Sequence, residues 1–179
     1  MDRATSPLTL KLTLKNDSKN YEHLVDPIVR IGACLKDEKY TFRTITPNSH
    51  ARIVDRYKGS TIDKGSKDLL REFFGWNLTL TPPVDDAPAL RGISSLMKES
   101  KLIVGEQGGV KSTLRFSTFD DASSFPLIFA HSSFPTVESD AIFFGPDTYR
   151  FFNFIRKATQ LYFKPQSAHK LLRVVDIGE

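Results

Sequence analysis

Hydrophobic residues recur along this chain with two different periods, and the switches between them mark its elements. Leu8-Thr9-Leu10-Lys11-Leu12-Thr13-Leu14 alternates with period two and sets its leucines on one face of a strand or amphipathic arm. From about Tyr21 to Leu35 the apolar positions Leu24, Ile28, Ile31 and Leu35 return every three or four residues. That spacing predicts a helix, with Pro27 in its first turn or at a kink. Tyr40 to Ile45 alternates again and is rich in β-formers, so a strand is expected. Thr46-Pro47 closes it, and Asn48 or Ser49 then caps a short helix through Val54.

Ser66 or Asp68 is positioned to cap a helix through Phe74, with Leu69, Leu70, Phe73 and Phe74 on one side and Gly75 as a left-handed stop. Trp76 is expected to pack against it. Thr81 to Asp86 reads as a turn-rich connector, and Pro88 suits the first position of a helix to about residue 99 carrying Leu90, Ile93, Leu96 and Met97. Lys101 to Val104 and Val110 to Phe119 flank the glycine-rich tip Gly105-Glu106-Gln107-Gly108-Gly109, which predicts a hairpin; Leu127 to Ala130 adds a further strand. After Gly145-Pro146-Asp147-Thr148 a helix is expected, with Phe151, Phe152, Ile155, Ala158 and Tyr162 at helical spacing. Leu171 to Glu179 reads as a buried strand entering a tight turn.

A chain of 179 residues, 40% of them hydrophobic and 14 of them phenylalanine, is long and apolar enough to build a core, as one domain or one domain plus a fragment. No stretch approaches the ~20 continuous apolar residues of a membrane helix. Met1 to Leu10 alternates polar and apolar residues, which is not the pattern of a signal peptide, so a soluble cytoplasmic protein is expected. The one cysteine, Cys34, leaves no intrachain disulfide and reads as a packing residue. His23, His50, His131 and His169 are far apart and none sits in a spaced ligand motif, so no metal site is expected. The net charge of +4 is a mild excess that would favour acidic partners such as RNA but is better explained by ordinary solubilising surface.

Candidate chemistry gathers near the C-terminus. A buried parallel strand running into a glycine turn is the way nucleotide-binding α/β folds bring backbone close to a ligand. Val174-Val175-Asp176-Ile177-Gly178 has that form and resembles the start of the S-adenosylmethionine (SAM) motif of class I methyltransferases, a hydrophobic strand, an acid, then Gly-x-Gly-x-Gly. Upstream, Gly145-Pro146-Asp147-Thr148-Tyr149 is similar in place to the Arg-Pro-Glu-Thr-Glu-like turn of the glutamine methyltransferases that modify release factors, lacking its arginine and second acid. The run from Ser139 to Phe152 is closer to uncharacterised bacterial methyltransferases, a similarity that extends to Phe42-Arg43-Thr44-Ile45-Thr46-Pro47 and Phe73-Phe74-Gly75-Trp76.

The resemblance implies an N-terminal portion of a SAM-dependent methyltransferase, cut within its cofactor motif and inactive alone. Its cofactor-side residues would be Asp176, Gly178, Pro146, Asp147 and Thr148. Asp147 and Thr148 also suit a helix cap, and Phe73, Phe74 and Trp76 suit packing. The Asn/Asp-Pro-Pro-Tyr/Phe motif of amide and ring-nitrogen methyltransferases is absent, and Thr81-Pro82-Pro83-Val84 reads as a turn. No catalytic residue is assigned.

The alternative is a stand-alone nucleic-acid-binding or protein-interaction module. Helix 88–99 with its Gly-tipped hairpin resembles a winged helix, with Arg91, Lys98, Lys101, Lys111 and Arg115 for phosphates and Glu99, Glu106, Asp120 and Asp121 interrupting them. His131-Ser132-Ser133 is not a triad signature. The expected architecture is therefore α+β: residues 1–138 an accessory, substrate-recognition domain with a winged-helix-like portion, residues 139–179 a linker helix and the first strand of an incomplete Rossmann-like domain. The methyl acceptor would be protein or nucleic acid. An unpaired strand at Leu172 to Ile177 would favour self-association.

Overall fold

The structure, a computed structural model, describes residues 22–66, 68–106, 108–119, 126–139 and 141–162. The leucine arm at 8–14, the strand at 171–177, and with it Asp176 and Gly178, lie outside the described residues. What is described is α+β. Helix α1 (Glu22–Asp37) and α2 (Pro47–Val54) come first, then a π-helical turn at Arg71–Gly75 and the short α3 (Ser94–Glu99). Strands β1 (Ile103–Glu106), β2 (Gly109–Ser112), β3 (Leu114–Phe119) and β4 (Leu127–Ser132) follow, and α4 (Pro146–Tyr162) is the last element among the described residues. The strands form two separate antiparallel pairs, β1–β2 and β3–β4, with Ile103 opposite Ser112 and Leu114 opposite Ser132.

α1 meets its spacing: Ile31 and Leu35 are buried while Leu24 and Ile28 are half-buried against the same core, with Pro27 in the second turn. The main core closes over Phe73, Phe74 and Phe116, whose rings meet edge to face at 5.0 and 5.3 Å. Full burial of each such side chain stabilises by about 1.5–3 kcal/mol. A second, smaller core lies under α4, where Phe119, Phe144 and Tyr149 pack with Phe129 and Phe152.

Several expectations are corrected. Residues 40–46 are extended with strand-like alternation, Tyr40, Phe42 and Thr44 buried and Thr41 and Arg43 exposed, yet they close no regular ladder among the described residues. Thr118 explains this: its N–H donates to Phe42 O (2.7 Å) while its hydroxyl accepts from Phe42 N–H (3.1 Å), so a side chain fills a backbone position. The cap of α2 is Thr46, whose Oγ1 accepts from Ser49 N–H, and not Asn48 or Ser49, because Pro47 takes the first helical position. Gly75 is not the left-handed stop. The π-helical turn carries the helix further, and Asn77, at φ 60°, reverses the chain. Glycine is required at 75 for another reason: a Cβ there would overlap the Phe42 ring.

The helix expected over 88–99 is broken into a 3₁₀ turn at Pro88–Leu90 and α3. The apolar run 110–119 is split between β2 and β3, which belong to different pairs. At Gly109 a Cβ would stand 2.7 Å from Leu80 O; without one, Leu80 and Val110 exchange two backbone hydrogen bonds of 2.8 Å.

Candidate functional site

The turn singled out in the sequence lies where α4 begins. Pro146 takes the first helical position, and Thr148 closes the turn reciprocally: its Oγ1 accepts from Gly145 N–H (3.3 Å) and its own N–H donates to Gly145 O (3.0 Å). Asp147 is exposed and pairs with Arg150 at 2.9 Å. Tyr149, one turn into the helix, is 3% exposed. Its hydroxyl accepts from Thr44 N–H at 3.0 Å, joining positions 105 residues apart. The Arg43 guanidinium lies over its ring, 4.7 Å from the centroid.

This junction forms a groove. One recess of about 320 Å³ is lined on the Arg43 side by Thr41, Arg43, Arg71 and Phe119, with Tyr149 and Asn153 of α4 opposite. A second, of about 440 Å³, adds Thr46, Ser49, Pro146 and Arg150 and shares Arg43, Tyr149 and Asn153 with the first. Neither recess is lined by a carboxylate among the described residues. Pro146 therefore faces the groove, while Asp147 and Thr148 are occupied in shaping its end. Arg43, Arg71 and Asn153 were not singled out from the sequence as site residues. The one local signal was Arg43 at an outward position of the alternating segment 40–45.

Beneath the groove runs a seam of buried polar side chains. Thr44 Oγ1 contacts Ser117 Oγ, and Ser117 Oγ lies 2.8 Å from His131 Nε2, with His131 stacked on Phe144. His131 thus bonds across the sheet to Ser117 and to the backbone of Ser132, rather than forming a triad-like set with the Ser132 and Ser133 hydroxyls. Ser117 is fully buried and unreachable by substrate, so the pair is a packing device and not a nucleophile with its base. Farther along β3, Arg115 is 4% exposed and its partners are neutral: Nε donates to Gly75 O (3.0 Å) and a terminal nitrogen to His50 Nδ1 (3.2 Å). His50 Nε2 donates to Trp76 O at 3.0 Å, which fixes the neutral tautomer with Nδ1 as acceptor. Burial, then the Arg115 charge, holds His50 down to about 4 and His131 to about 3; burial lowers Arg115 to about 10.

The basic patch expected on the hairpin is corrected. Arg115 is buried, and Lys98 is paired with Asp85. Lys111 is mostly enclosed, donating to Phe134 O (2.8 Å) beside Glu106 (3.4 Å). Only Arg91 and Lys101 of that set remain exposed without an ion pair among the described residues. A separate recess of about 680 Å³ between α1 and β4, lined by Leu24, Val25, Ile28 and Ile142, is apolar and carries one titratable group, Glu138. Among the described residues no cluster of His, Cys, Asp or Glu is placed to hold a metal, and no helix is long and apolar enough to cross a membrane. No family model matches this chain, and neither curated proteins nor solved structures give a significant match to it.

Proposed function

We propose that the chain supplies the substrate-recognition part of a SAM-dependent methyltransferase, and that the groove between residues 41–46 and α4 holds the methyl acceptor. The observation that carries this reading is the docking of the Gly145–Tyr149 turn on the Phe42–Pro47 segment through the Thr44–Tyr149 hydrogen bond. Both segments resemble methyltransferase sequence, and they meet at the recesses that Arg43, Tyr149 and Asn153 line together.

SAM, when bound, supplies an electrophilic methyl group on a sulfonium. Within the turn, Pro146 has no N–H to offer, Asp147 is paired with Arg150, and the Thr148 hydroxyl is taken up by Gly145. These three residues are suited to bracing the groove and poorly suited to holding a cofactor directly. In this reading cofactor contact falls to Asp176 and Gly178, at the start of a Rossmann-like sheet, and the β1–β2 hairpin after α3 takes the place of a wing. No step of methyl transfer is assigned to a residue of this chain.

Calorimetric titration of SAM into the chain, and into forms lengthened at the C-terminus, tests the reading. Saturation at one SAM per chain in at least one form, abolished by Asp176→Ala, is the expected result. Absence of binding in every form removes the cofactor, and with it the methyltransferase reading.

A further inference from the structure

We infer that the Arg43–α4 groove binds the phosphate backbone of a single-stranded nucleic acid, an assignment that rests on the substrate-site reading above and names its substrate class. The groove is lined by Arg43, Arg71 and Arg150. Arg43 has no acidic partner among the described residues and is held in place by stacking on Tyr149. Arg71 and Arg150 are joined to Asp68 and Asp147 by exposed pairs three residues apart. Such pairs are weak and exchange readily for a phosphate, which the guanidinium fork fits better.

Behind this wall stands the buried Arg115. Its guanidinium carbon is 5.9 Å from the centroid of Phe42, a ring that itself lines the groove, and the hydrogen-bond partners of Arg115 are neutral. A buried charge is screened far less than a surface one, so it adds to the positive potential at the groove floor. Thr41, Ser49 and Asn153 supply neutral donors of the kind that meet phosphate oxygens.

The shape selects the strand. Duplexes are read by elements that protrude into their grooves, whereas a recess takes an unpaired strand. α4 continues the recess with the bases' own requirement: Arg150, Asn153, Phe154 and Lys157 fall at i, i+3, i+4 and i+7, on one face. Phe154 is 67% exposed, as Phe151 is on the preceding turn at 61%, and its ring, on the face of Arg150 and Lys157, is placed to stack a base beside the phosphates that those two would meet.

Fluorescence anisotropy with short labelled oligo(U) and oligo(dT) tests this on the full chain. Saturable binding that weakens between about 50 and 200 mM salt is expected, and the preferred oligonucleotide tells RNA from DNA. Arg43→Glu should weaken binding about tenfold or more and reduce the salt slope by about one. Phe154→Ala should weaken it about fivefold or more, and Lys101→Glu, on the hairpin, by less than about twofold. Arg43, Phe154 and Lys101 are all exposed, so unchanged melting temperatures verify that the variants remain folded.

The inference is overturned by no binding below about 100 μM, by an Arg43→Glu variant that binds as the parent does, or by a larger loss from Lys101→Glu, which would move the interface to the hairpin. It is also overturned if poly-glutamate, or inorganic phosphate at equal phosphate, competes as well as oligo(U); an acidic polypeptide or an isolated anion would then be the ligand. Oligonucleotide binding needs no cofactor, so its failure beside intact SAM binding spares the methyltransferase reading, and the converse result leaves a nucleic-acid surface alone.

Discussion

The β1–β2 hairpin and the Arg43 groove are built with the same cationic residue types and spend them in opposite ways. Around the hairpin, Lys98 and Lys111 are bound to Asp85 and Glu106, and Arg115 is drawn into the core to hold Gly75 and His50. At the groove, Arg43, Arg71 and Arg150 face an open recess, and the acids that touch Arg71 and Arg150, Asp68 and Asp147, are exposed. A charge in the sequence is thus no measure of a charge on offer. What decides is whether folding draws the charge into the core or leaves it facing an open recess.

The largest effect that would break this contrast comes from matched truncations. Arg115→Ala leaves the Gly75 carbonyl and His50 Nδ1 buried without partners and removes packing from Phe42, so a loss of about 3 kcal/mol in urea unfolding is expected. Arg43→Ala should stay within about 0.5 kcal/mol of the parent. Equal losses from the two would end the distinction between a structural and a presented arginine.

The next effect is on pH. His50 and His131 are held at about 4 and 3 in the folded chain, below the ordinary 6.5 that they regain on unfolding. Below pH 6.5 the unfolded chain binds the protons that the fold refuses. Stability is therefore full above about 6.5 and falls as pH drops toward 4, by up to about 1.4 kcal/mol per pH unit for each histidine. Denaturation midpoints across that window measure it, and His50→Gln should remove about half of the slope. The smallest effect belongs to Arg91→Ala and Lys101→Ala, each expected within about 0.5 kcal/mol, since both side chains are exposed.

Local pattern was a good guide where a segment's partners did not matter. α1 follows its 3.6-residue spacing, α4 forms where its spacing places it although Phe151 and Ile155 of the predicted stripe are exposed, and the Gly-tipped hairpin and the strand near Leu127 are where alternation and glycines place them. It misled where a distant group intervened. Thr118 replaces a ladder partner of Phe42, Asn77 rather than Gly75 turns left-handed, and Gly75 is kept small by a ring more than thirty positions upstream. On β3 the alternation makes Arg115 and Ser117 look outward-facing, yet both are buried, because His50 meets one, Thr44 and His131 meet the other, and no spacing rule carries that information. The candidate site divides the same way. The Pro146–Tyr149 turn was visible as a motif, whereas Arg43, Arg71 and Asn153 become a site only by long-range docking.

One feature of that docking bears on how the protein is made. The Thr44–Tyr149 bond spans 105 residues, so at a synthesis rate of about ten residues per second Thr44 waits roughly ten seconds for its partner to emerge. For roughly the last three seconds of that interval the segments that build the main core, up to Phe116, are already free of the ribosome, while the groove does not yet exist. A nascent chain would thus acquire its shape before its binding surface, and a chain halted ahead of Tyr149 would be folded in large part and functionally silent.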